Sequence, residues 1–151
     1  MFLVPTHVGP SAIHGLGAFA SAPIPAGTAI WRFEPAVDWR IPPADLERFP
    51  EPYQSWFRTY CYLAEDGFFV YCGDNAKYMN HATEPNCDDS GMMGTVTLRD
   101  IAAGEELTCD YRAFDAESAR VPAEALYGAS GGDGGVSALP SPTTNVNTTR
   151  S

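Results

Sequence analysis

The sequence predicts a mainly β protein with a few short helices, and three observations carry that prediction. Short apolar, β-prone runs recur over residues 28–33, 68–72, 92–98 and 106–111, each bounded by turn-forming residues. Only residues 42–62 repeat their large side chains at spacings of three and four. The 14 glycines and 13 prolines supply chain reversals and interrupt any long helix.

Taken in order, residues 2–9 are apolar enough for a short edge strand, which Pro5 interrupts and Pro10 follows. Gly15-Leu16-Gly17 then precedes Ala18-Phe19-Ala20; two glycines around one apolar residue allow a turn whose backbone a ligand can approach. Ile24-Pro25-Ala26-Gly27 is a second turn, leading into the strand expected at 28–33. Between 42 and 62, Leu46, Phe49, Tyr53, Trp56, Phe57 and Tyr60 fit one or two short helices broken at Pro50 and Pro52, with the aromatic stripe as a core face. The strand at 68–72 delivers the chain into Asp74 to Cys87, where polar side chains crowd between apolar segments. There Asn80 and His81 follow Tyr78 and Met79, and Pro85 with Asn86 forces a turn, so this stretch reads as a shaped loop able to hold a ligand. Residues 92–98 form a further strand, and the turn at 100–104 echoes the Ile-x-Ala-Gly pattern of 24–27 before the last strand, 106–111, ends in Tyr111. Residues 113–127 suit one or two frayed helical turns around Pro122.

A 44% hydrophobic, 12% aromatic chain of 151 residues can fill one core, which places a single domain at 1–127. Beyond Gly128, Gly, Ser, Thr, Asn and Pro dominate, too polar to bury much surface, so 128–151 is expected to be a disordered tail. No run of about 18 apolar residues occurs and no signal-like start is present, which reads as a soluble, non-exported protein with no membrane partner. The net charge of −10 falls entirely within residues 1–127, since the tail adds only Asp133 and Arg150. Such an acidic surface argues against direct binding of nucleic acid and favours encounter with basic polypeptides. Cysteines at 61, 72, 87 and 109 stand singly, without C-x-x-C spacing, so no metal site is expected and reduced thiols in a cytosolic or nuclear compartment fit best.

Three segments together carry a specific likeness. Asn80-His81-Ala82-x-x-Pro85-Asn86-Cys87 and Gly104-Glu105-Glu106-Leu107-Thr108-Cys109-Asp110-Tyr111 closely resemble, in order and separation, the two signature segments of the SET-domain lysine methyltransferases, and Gly15-Leu16-Gly17 resembles their N-terminal cofactor motif. The resemblance covers about residues 8–112. It implies a β-clip-like fold of small curved sheets with a C-terminal pseudoknot, the Asn-His segment passing through a loop made by the C-terminal segment, which is exceptional topology. The implied activity is methyl transfer from S-adenosyl-L-methionine to lysine side chains of a basic protein: a histone, a histone-like protein or a ribosomal protein. The compact size resembles small stand-alone viral and bacterial members, so cytoplasm or, in a eukaryotic or viral setting, chromatin is the expected location.

By that resemblance the backbone of Gly15, Leu16 and Gly17, the Asn80 side chain and the His81 backbone contact the cofactor, and the His81 imidazole serves as a structural hydrogen-bonder. Tyr111 becomes the principal catalytic tyrosine. The sulfonium already carries an activated methyl group, so the protein has only to align a neutral lysine amine, favoured by desolvation and aromatic walls, with the proton leaving to bulk water. Tyr60 is the expected second channel tyrosine, with Tyr62 close behind and Tyr53 as the outsider. Three departures stand out. Cys109 holds the position where an aromatic helps set how many methyl groups are added, leaving mono-, di- or trimethylation open; Thr83 replaces a common cysteine; and no Cys-rich segment follows Tyr111, so Phe114 or a helix near Leu126 and Tyr127 is expected to cover the channel. Cys109 also motivates the alternative of a catalytically weak SET module that binds peptide or cofactor without turnover.

Overall fold

The computed structural model of the chain describes residues 1–91 and 94–121, so the part of the expected helical turns of 113–127 that falls on 122–127, the covering helix near Leu126 and Tyr127, and the tail at 128–151 lie outside the described residues. In chain order the elements are strands β1 (Thr6–Pro10), β2 (Leu16–Ala20), β3 (Ala29–Arg32) and β4 (Trp39–Ile41); helices α1 (Pro43–Leu46) and α2 (Tyr53–Tyr60); and strands β5 (Cys61–Leu63), β6 (Phe69–Tyr71), β7 (Asn80–His81), β8 (Cys87–Gly91), β9 (Gly94–Thr97) and β10 (Thr108–Cys109), with short 3-10 turns at 75–78, 111–113 and 118–120. Strands of two to five residues cannot make one large sheet, and four small ones result: β1-β2, β3-β9-β8, β4-β6-β5 and β7-β10. The first three are antiparallel, whereas β7 and β10 run parallel. This is the mainly β architecture of small sheets that the sequence led us to expect.

Local chemistry explains several element ends. Gly27 and Gly104 both sit at positive φ, where a side chain would be strained, and each closes one of the two echoing Ile-x-Ala-Gly turns. The echo has a structural reason: Ile24 and Ile101 exchange backbone hydrogen bonds of 2.9 and 2.8 Å, so the two turns pair back to back and bury both isoleucines. α2 stops where Cys61 turns extended and starts β5. Around these turns Ala18, Ala20, Ile24, Ile30, Met79, Ile101, Leu107 and Cys109 form the main core, each large aliphatic side chain contributing roughly 1.5–3 kcal/mol.

Three readings of the sequence are corrected. The aromatic stripe of 42–62 is not a core face: no residue of α2 is buried, Tyr53 is 59% and Trp56 41% exposed, and the stripe covers only a satellite cluster of Ile41, Leu46 and Phe69. Ring-on-ring contacts, Phe49 on Phe57 and Trp56 on Tyr71, hold it there instead of immersion. The expected strand 106–111 shrinks to Thr108–Cys109, because residues 104–107 lie along β2 and Tyr111 already opens a 3-10 turn. Within the supposed loop 74–87, Asn80–His81 is a strand, and Cys87–Gly91 beyond it is another that its polar composition concealed.

One crossing ties these pieces together. Residues 104–109 run first beside β2, with Leu107 N–H donating to Ala18 O at 2.8 Å and Ala20 N–H to Glu105 O at 2.9 Å, and then beside β7, with Ala82 N–H donating to Cys109 O at 3.0 Å. Asn86, 3% exposed, clasps the crossing. Its Oδ1 accepts from Thr108 N–H at 2.8 Å, its Nδ2 donates to Glu106 O at 2.8 Å, and its own N–H donates to Thr108 Oγ1 at 3.2 Å.

Asn86→Ala removes the side-chain half of that clasp and leaves a buried N–H and C=O unpaired, at about 1–3 kcal/mol each. Urea unfolding should therefore show a loss of about 3 kcal/mol, whereas Tyr53→Ala on the exposed stripe should change stability by less than about 0.5 kcal/mol.

Candidate active site

Met79 and Asn80 leave the 3-10 turn at 75–78 as adjacent extended residues, so their side chains point to opposite faces. That alternation gives the site two halves joined at β7.

On one face stands the glycine loop. Asn80 Nδ2 donates to His14 O at 3.1 Å, Leu16 O at 3.0 Å and Glu106 Oε1 at 2.8 Å, and three oxygens around one nitrogen fix which way the amide points. Its Oδ1 accepts no hydrogen bond among the described residues. Glu106, which sequence reasoning missed, also accepts from Ser11 Oγ at 2.8 and 2.9 Å and so staples the loop from both ends. Gly17 is a glycine for the same reason, since a Cβ there would meet Glu106 Oε1 at 2.3 Å. Gly15 sits at φ +50°, while Leu16 and Ile13 remain exposed at the loop surface. Glu106 thus ties Asn80 and Ser11 together beside Gly17, and its signal in the sequence was one acid among two in Gly-Glu-Glu-Leu.

On the other face a cavity of about 1190 Å³ is lined by Tyr60, Tyr62, Met79, Asp89, Cys109, Tyr111 and Phe114, among others. The structure thus brings Tyr60, Tyr62, Cys109 and Tyr111 to one groove and leaves Gly15, Leu16, Gly17, Asn80 and His81 outside its lining. Phe114 packs edge-on to both Tyr62, at 4.9 Å between ring centres, and Tyr111, at 5.9 Å. Tyr60 packs instead on Tyr78 and Trp56, so the two middle tyrosines stand in different walls, and Tyr53 is outside. Cys109 is fully enclosed in β10 and supplies a thiol where bulk could have filled the floor.

Tyr111 is held at both ends. Its N–H donates to His81 Nδ1 at 3.0 Å and its hydroxyl donates to Met79 O at 2.7 Å. The phenol's one proton is thereby committed to protein, and toward the groove the oxygen can only accept. Burial pushes the phenol's pKa upward, with the thiol of Cys109 and nearby carboxylates adding to it, so Tyr111 remains a neutral acceptor and not a base.

His81 is neutral as well. Burial lowers its pKa more than Asp110, whose carboxylate lies 3.6 Å away, raises it, and protonating Nδ1 would eject the Tyr111 N–H. A folded-state value below the ordinary 6.5 means that the unfolded chain binds the proton first, so stability is full above about pH 7 and falls as pH drops through the unfolded-state value. Urea midpoints measured between about pH 7 and pH 5 should fall in the wild type, and the fall should be shallower in His81→Asn.

Comparison with known families matches residues 15–112, more than half of the chain, to the SET domain. A curated relative, named as a histone-lysine N-methyltransferase specific for H3 lysine-4 from Mycosarcoma maydis, is 34% identical over 112 residues; the match takes in 68% of this chain and 8% of that much longer protein. Among solved structures, a humanized mutant of the Chaetomium thermophilum Polycomb Repressive Complex 2 bound to the inhibitor GSK126 shares the fold, with a TM-score of 0.58 and 21% identity over 78% of this chain and 16% of that one.

Proposed function

The chain belongs to the SET-domain family, and on that premise we propose that it transfers methyl groups from S-adenosyl-L-methionine to lysine side chains of a basic protein. The observation that carries the reading is Tyr111. A neutral hydroxyl oxygen, fixed by its bond to Met79 O and open only as an acceptor, suits an amine that must be turned with its lone pair toward a methyl donor. Tyr62, Phe114 and Tyr60 wall the same groove with rings that exclude water and tolerate a cation entering over their faces. Desolvation there disfavours the ammonium and so favours the reactive amine.

The donor's half of the site fits the glycine loop. S-adenosylmethionine presents an ammonium for acceptors and an adenine for apolar surface; Asn80 Oδ1 and the exposed Ile13 and Leu16 offer one of each, with the backbone of Gly15, Leu16, Gly17 and His81 around them. When bound it supplies the activated methyl group, and the residues of this chain hold and orient. A histone or histone-like tail is the favoured acceptor. The name of the fungal relative points that way, and the net charge of −10 attracts basic chains at long range. Chromatin is the matching location if the host has it.

Incubation with methyl-labelled S-adenosylmethionine and core histones should label a histone band, and mass spectrometry should find the added methyl on a lysine. Tyr111→Phe should lower that rate by about a hundredfold or more, the cost of losing one preorganised hydrogen-bonding group, with thermal unfolding changed by only a few degrees. Equal rates in the two proteins would remove Tyr111 from the reaction.

A further inference from the structure

Tyr111 orients but does not accept a proton, and the amine of lysine reaches any enzyme as an ammonium ion. Something has to take that proton. The groove contains one carboxylate enclosed enough to do so: Asp89, on β8, shares the cavity with Cys109, Tyr111 and Tyr62. Thr95 Oγ1 on β9 donates to its Oδ1, and the Cys109 thiol from β10 lies against it. We infer that Asp89 is the proton acceptor for the substrate ε-ammonium, a role that rests on the methyltransferase reading.

The surroundings support it. The titratable groups that face Asp89 are Cys87 and Asp88 of its own strand, Cys109 of β10, Tyr111, Tyr62 of β5, and Cys72 after β6. The cations lining the groove are Arg40, which pairs with Asp66, Lys77, which donates to Asp74 O, and Arg58; among the described residues none forms a salt bridge with Asp89, so an incoming ammonium would be its first. Burial pushes its pKa above the ordinary carboxylate range, against the two donors that hold the charged form. That rise brings its proton affinity toward that of an amine lowered by desolvation and a nearby sulfonium. In the step itself an N–H bond of the ammonium breaks and an O–H bond forms on Asp89. The freed lone pair on nitrogen then bonds to the methyl carbon, the carbon–sulfur bond breaks, and its electrons stay on sulfur. The proton leaves Asp89 toward water at Ser90 and Gly91, the exposed end of the same strand and part of the same groove.

The test compares wild type, Asp89→Asn and Asp89→Glu in methyl transfer to core histones across pH, together with a carboxyl-carbon NMR titration of the protein alone, in which Asp89 is the aspartate resonance missing from the Asn variant and from the Glu variant alike. Asn can still accept from Thr95, so the variant keeps that bond and removes the carboxylate's charge and its proton affinity; loss of charge alone would lower the rate without steepening its pH dependence. The wild-type and Glu rates should be level from about pH 7 upward, while Asp89→Asn should depend on free amine in water and climb about tenfold per pH unit toward pH 10, making its deficit at about pH 8 at least tenfold. The NMR midpoint should lie above the ordinary value of about 3.9. Parallel pH profiles in wild type and Asp89→Asn, or a midpoint at or below the ordinary value, would overturn the role of Asp89 while leaving the methyltransferase reading intact. A wild type that labels no histone at any pH would overturn both. If Asp89→Asn does not fold, the wild-type NMR midpoint and the Glu profile decide.

Discussion

Asn86 commits both ends of its side-chain amide to a segment that arrives about twenty positions later in the chain. With one amide it fixes Glu106 O and Thr108 N–H, and its neighbours extend the grip: Asn80 takes Glu106 by its side chain, and His81 takes Tyr111 by its N–H. Strands of two residues cannot hold a parallel pairing through backbone bonds alone. These side chains do the work that a longer ladder would otherwise do, and in a buried place, where an unmade bond is costly, they leave residues 105–111 one register. Everything functional hangs from that register, because a shift of one residue would turn Tyr111 away from Met79 and Glu106 away from the glycine loop.

The crossing also divides labour by face. Alternation between Met79, the extended residue that precedes β7, and Asn80, its first residue, sends Asn80 to the loop side and Met79 to the groove side, so two adjacent residues join the halves of the site. On the loop side the polar groups are charged or amide oxygens; on the groove side the enclosed titratable groups are neutral phenols and thiols whose burial disfavours ionisation, together with the carboxylate of Asp89. Ring walls and buried neutral hydroxyl and thiol groups suit a lysine that must lose its charge before it reacts. Cys109 leaves the floor of that groove small and polarisable, in the place where the family resemblance expects an aromatic ring.

The site was legible in the sequence where one residue type has one physical use. Asn80, His81 and Tyr111 stood in compact motifs, and the structure brings them within hydrogen-bonding reach of one another's segments. The paired Ile-x-Ala-Gly turns were visible as an echo, though their pairing was not, since nothing in two tetrapeptides says that they face each other. Glu106 and Asp89 were missed because a carboxylate in a short polar run looks like solvated surface until the fold encloses it. The stripe of 42–62 misled for the opposite reason. Aromatic side chains at helical spacing usually mark a core, but here they stack on one another over a three-residue cluster and stay half in water. Tyr60 and Tyr62 could not be separated by sequence because the helix end at Cys61 sends them to different walls of one groove.

Titration calorimetry of S-adenosylmethionine into the protein, with Asn80→Ala beside it, probes the joined halves most directly. One site per chain, lost or weakened at least tenfold in the variant while its fold survives, is the expected result. Absence of heat up to millimolar concentration in the wild type, or unchanged binding in Asn80→Ala, would contradict it.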